Sequence, residues 1–154
     1  MITARDMVKR LQSAESKIES DVKVILKMLE SEILDINRNE QLFEKGLGTD
    51  GRLLGVYSKA TQEMTEGIQG TGFPKRAGSP YNFYDTGEMF KSFDLRVGKD
   101  SFSIFNTSRS LKEFSRTKGI SEDRIIGLTA ANEIKVNFQM IAPILREFFI
   151  RNIG

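Results

Sequence analysis

The chain has 154 residues, 39% of them hydrophobic and 29% charged, the composition of one globular domain with a sizeable core rather than of a disordered chain. Its 23 basic and 21 acidic residues leave a net charge of +2, too near balance for nucleic acid to be the main partner, so any basic patch must be local. It has no cysteine and no histidine, which excludes disulfides, thiolate or imidazole metal sites, Cys or Ser–His nucleophile systems and histidine general bases.

Carboxylate-only magnesium or calcium sites remain open, but no clustered Asp motif of the EF-hand kind occurs, and no cofactor or metal is expected. The sequence is charged from Arg5 onward and contains no apolar run of membrane length, so neither a signal peptide nor a membrane partner is expected. The expected fold is α+β, a single domain over residues 1–154: a long N-terminal helix, a small antiparallel sheet and a C-terminal helix.

Met7, Leu11, Ala14, Ile18, Val22, Ile25, Leu29, Ile33 and Ile36 recur in steps of three and four, an amphipathic helix over residues 1–38. At 1.5 Å per residue it would be about 50 Å long, more than one small domain needs to cover its own core. It either lies along the domain or packs in part on a neighbouring subunit, with Ile18, Val22, Ile25 and Leu29 as the interface candidates. Asn37-Arg38-Asn39 weakens the pattern, and Gly46 should end the last turn. Asp50-Gly51 signals a tight turn and Ser58 the cap of a brief helix from Ala60 to Met64.

Residues 67–80 carry four glycines and two prolines without the Lys-Ser/Thr ending of a phosphate-binding loop, so they read as a flexible surface loop or an arm that orders against a partner. Asp85 followed by Glu88 forms a capping-box pair for a short helix with Met89, Phe90 and Phe93 on one side. Asp85-Thr86-Gly87 also spells the catalytic loop of aspartic proteases, where two such loops share a proton. With one copy the chain would have to dimerise, and a chain that opens and closes on helices is a poor match to an all-strand enzyme.

Phe93, Leu95 and Val97 alternate with Asp94 and Arg96, and Phe102 and Ile104 with Ser101 and Ser103, which predicts a β-hairpin over about 93–105. Residues 106–119 read as a polar, basic loop, with Arg109, Lys112, Arg116 and Lys118 as possible contacts to an acidic partner surface or to DNA. Thr129 is a good N-cap for a last helix over 129–151, whose stripe Ile134, Phe138, Ile141, Leu145 and Phe148 is expected to pack on the core. Pro143 should kink or restart it.

The order Gly51-Arg52-Leu53-Leu54-Gly55-Val56-Tyr57-Ser58-Lys59-Ala60-Thr61, then Asp85-Thr86-Gly87-Glu88-Met89 with Ser92-Phe93, then Arg124-Ile125-Ile126-Gly127-Leu128-Thr129 before a final helix, resembles the tail-completion and virion-morphogenesis proteins of tailed phages. The likeness covers roughly residues 40–150, and its weight lies in the order and spacing of short motifs. The chain departs from the pattern in having no Trp in the first element, a longer N-terminal helix and no aromatic-rich strand end after the hairpin. The resemblance implies a non-enzymatic structural protein of the virion, made in the host cytoplasm. It would assemble in several copies, as a hexamer or dodecamer, into a ring at the head–tail junction or the head-proximal end of the tail. Its implied partners are itself, other neck and tail proteins, and DNA held without sequence readout in the lumen. Two readings of other classes stand beside it: a helical adaptor that binds through the Met7 to Ile36 stripe, and the dimeric aspartic protease.

Overall fold

The computed structural model describes residues 4–66, 75–98 and 101–153. The fold is α+β, helices around a two-stranded antiparallel sheet. Helix α1 spans Ala4–Met28 and α2 spans Glu30–Asp35, with the ladder carried across Leu29 by its N–H to Ile25 O at 3.0 Å and by Ile33 N–H to Leu29 O at 2.9 Å. From Ile36 to Glu44 the chain continues as a π-helix. The weak point expected at Asn37-Arg38-Asn39 is therefore helical. Asn37 is fully buried, and Arg38 reaches from the same turn to Phe90 O at 3.3 Å. Polar residues that read as a weak point of the helix in the sequence serve as tertiary hydrogen-bonding groups.

Gly46 ends this run as expected, in the left-handed region at φ 62°, with its N–H on Leu42 O. A Cβ there would stand 2.7 Å from Pro80 Cβ and from Tyr81 O, so only glycine fits. The Asp50-Gly51 turn closes a bridge between Leu47 and Leu53. Helix α3 spans Lys59–Glu66, and the Ser58 hydroxyl accepts from Thr61 N–H at 3.2 Å as its cap. Of the loop expected over 67–80, residues 67–74 lie outside the described residues; Pro80 pairs with Val56 in an isolated bridge.

After the single turn of α4 (Glu88–Lys91), strands β1 (Phe93–Val97) and β2 (Phe102–Asn106) form the expected hairpin, with Leu95 opposite Ile104 and Phe93 opposite Asn106. Helix α5 covers Arg109–Lys118, and α6 covers Glu122–Ile125. The last helical run consists of α7 (Ala130–Ile134), a π-helical stretch Lys135–Ile141 and α8 (Ala142–Ile153). Thr129 caps it, its hydroxyl accepting from Asn132 N–H at 3.2 Å. Ile33, Leu42, Leu111, Ile125 and Val136 are fully buried where α2, the first π-helix, α5, α6 and the second π-helix meet.

The closing stripe needs correction. Ile134 and Phe138 are 57% and 70% exposed, while Val136 is buried, and Met140, Ile141, Ile144 and Leu145 pack on the core. The π-helical stretch holds more residues per turn than an α-helix. The phase of the stripe therefore shifts between Ile134 and Ile141, just ahead of Pro143, whose missing N–H already weakens the α-helical ladder there.

Candidate functional site

The Asp85 stretch lines one wall of an open cleft of about 350 Å³, with Tyr57, Phe83, Tyr84 and Phe114 as aromatic walls and Asp85, Glu88, Glu113, Lys75 and Lys118 as charged groups. The cleft is held by Asn82, whose side-chain oxygen accepts the Tyr57 hydroxyl at 2.8 Å and Tyr84 N–H at 3.2 Å. That pair of bonds pins Phe83 at φ 55°, the left-handed region, with its ring 4.8 Å from Phe114. Burial pushes the Tyr57 phenol above its ordinary 10.0.

The capping box does not form. Gly87, at φ 80°, precedes the single turn of α4, and Thr86 Oγ1 accepts from Glu88 N–H at 3.4 Å. Asp85 sits two residues ahead of the N-cap position, Gly87, too early for that role; its exposed carboxylate faces Lys75 Nζ at 3.4 Å. The Glu88 carboxylate turns away to accept from the Ser110 hydroxyl on α5. The left-handed glycine displaces the cap by moving the helix start past the acid.

Residues 106–119, expected as a loop, form α5. Ser108 caps it, its hydroxyl accepting from Leu111 N–H at 3.2 Å, and Gly119 closes it at φ 65°. Helical spacing puts Arg109, Lys112 and Arg116 on the outward face, where Arg109 Nε pairs with Glu113 at 2.7 Å. Lys118 falls on the opposite face, with Leu111 and Phe114, and lies over the Tyr81 ring at 5.4 Å. Three of the four basic candidates thus form one row, and the fourth, still exposed, lies over an aromatic ring on the other side of the helix.

The interface candidates on α1 divide as well. Ile25 and Leu29 are buried in the chain's own core, Val22 packs against it and Ile18 is half-buried. Val24 and Met28 lie on the opposite face and are 56% and 70% exposed. The core takes the stripe that periodicity selects, so a surface for a partner consists of residues off the stripe.

The third motif stretch, 124–129, is tied into the middle of the fold by side chains far away in sequence. Gly127 O accepts from Asn37 Nδ2 at 2.6 Å and Gln41 Nε2 at 3.0 Å. Gln41 Oε1 accepts Thr129 N–H at 2.9 Å and Asn132 Nδ2 at 3.1 Å. Thr49 N–H and hydroxyl bind Arg124 O and Asp123 O at 2.9 and 3.1 Å, and Asp50 pairs with Arg124 at 3.0 Å. The Arg52 N–H on its carboxylate, helped by Arg124, holds Asp50 below the usual 3.8. A hydrogen bond from Ser121 does the same for Asp123. This clasp was not legible in the sequence, because its two halves stand 86 and 90 residues apart.

Comparison of the chain with protein-family models, with curated proteins and with solved structures returned no match.

Proposed function

We propose that the chain is a structural, non-enzymatic subunit of a tailed-phage particle that assembles in several copies at the head–tail junction or the head-proximal end of the tail. One observation carries this reading: large apolar side chains face solvent on two separate helical surfaces, Val24 and Met28 on α1 and Ile134 and Phe138 on the last helical run. A ring built head to tail needs two different surfaces that meet between neighbours, and apolar residues on both supply the burial that holds such a contact. The motifs that suggest the family also do the work of a scaffold here. They fix backbone turns and tie segments 46–50 and 122–129 together.

The outward row Arg109, Lys112 and Arg116 suits a surface that meets phosphate or an acidic neighbour without sequence readout. The adaptor reading keeps less of its stripe, since Ile25, Leu29, Ile33 and Ile36 are buried within the chain. Mass spectrometry of purified tailed particles from infected cells tests the proposal. Several copies of the chain per particle are expected, and its absence from the particles would sink the reading.

A further inference from the structure

The β2 edge of the hairpin is unpaired among the described residues and borders an apolar groove. Gly98 N–H donates to Ser101 O at 2.7 Å and Thr107 N–H to Ser92 O at 3.4 Å, which fixes the alternation of the ladder. Ser103 and Phe105 of β2 face β1 with their backbone groups, while Phe102 and Ile104 turn theirs to the outer edge. On β1 the equivalent outward N–H, that of Leu95, is satisfied by the Asp94 carboxylate at 2.8 Å. Among the described residues no such partner meets the outward groups of Phe102 or Ile104.

Beside this edge runs the groove of about 670 Å³ walled by Val22 and Leu26 of α1, Ile126 and Leu128, and Ile141 and Leu145 of the last helical run. Ser101, Phe102, Ser103 and Ile104 all border it. Successive strand residues point to opposite faces, so a run of four bordering one groove means that the strand presents its edge to it. An unpaired strand edge next to apolar walls is a template for strand addition, in which main-chain hydrogen bonds give affinity and alternate side chains fill the groove. The occupant that suits such an edge is an extended segment, whose alternate side chains reach the apolar walls. Glu133 stands on the rim without an ion pair among the described residues.

We propose that β2 and this groove accept an extended segment of a partner protein as a third strand, with apolar residues alternating inward and a lysine or arginine beside Glu133. The inference does not rest on the assembly reading, since none of Val24, Met28, Ile134 and Phe138 lines the groove.

Amide hydrogen exchange of the full chain tests it, with a short synthetic peptide of alternating valine and threonine carrying a lysine at each end as the probe. Alone, Phe102 and Ile104 amides should exchange fast and Ser103 and Phe105 slowly; with peptide, Phe102 and Ile104 should become protected. Ile104→Pro removes an N–H that β1 does not use, so the hairpin should survive and the peptide effect should vanish. Glu133→Lys, on the exposed rim, should weaken the peptide about two- to fivefold and reverse its advantage over a glutamate-flanked version. Unchanged exchange at Phe102 and Ile104 with peptide in excess overturns the proposal. Protection that grows with protein concentration in the absence of peptide overturns it too, by giving the edge to a second copy.

Discussion

Replacing Gln41 by Met keeps the shape of a fully buried side chain and removes its hydrogen bonds. Its amide oxygen accepts the Thr129 N–H, and Thr129 is itself buried, so that N–H is left unsatisfied, at about 1–3 kcal/mol. Gly127 O loses the 3.0 Å bond from Gln41 but keeps Asn37 at 2.6 Å, a loss of about 0.5–1.5 kcal/mol. Asn132 is only half-buried, and water replaces its bond at little cost. The expected destabilisation is about 2–4 kcal/mol, a large share of the stability of a single domain. Urea unfolding followed by circular dichroism measures it: the midpoint should fall by about 1–2 M with the slope unchanged. The paired variant Asn132→Ala should cost less than about 0.5 kcal/mol. A Gln41→Met protein within about 0.5 kcal/mol of the original would refute the idea that this clasp holds the 124–129 segment.

Leu111→Ala, at a position with no exposure, should cost about 2–5 kcal/mol in the same unfolding assay, since α5 docks through it. Gly46→Ala should destabilise more than Gly119→Ala: both have positive φ, but a Cβ meets Pro80 and Tyr81 only at Gly46. Equal losses would remove the packing argument. Asp50 and Asp123 both titrate below their ordinary 3.8 in the fold, so they stabilise it above that pH, and their contribution is lost as pH falls through the lowered values. Asp50→Asn should flatten the fall of stability below about pH 4, read from thermal unfolding across an acid pH series. Tyr57 is shifted the other way, so its contribution is full below pH 10.0 and fades in stronger alkali, and Tyr57→Phe should lessen that alkaline loss.

Local chemistry was legible in the sequence where a single residue decides the backbone. Ser58, Thr129 and Gly46 act where their side chains, or the lack of one, imply, and the Phe93 to Ile104 alternation gives the hairpin. Periodicity failed where the helix departs from 3.6 residues per turn: the second π-helical stretch turned Ile134 and Phe138 outward. Composition failed at α5, where a charged stretch hid an N-cap at Ser108 and a closing glycine at Gly119. The Asp85 cap failed because Gly87 takes the left-handed conformation and starts the helix after the acid. The surfaces offered to partners were the least legible, because the apolar stripe that stands out in sequence is the one the core buries, and what remains exposed is whatever falls off it.

The central claim is that the outward apolar residues hold copies of this chain together, and native mass spectrometry at low and moderate salt tests it most directly. The full chain should appear as a closed multimer, and Phe138→Ser, which alters a side chain 70% exposed, should fold with unchanged stability and run as a monomer. A full chain that stays monomeric at every concentration, or a Phe138→Ser variant with the same multimer mass, would contradict the account.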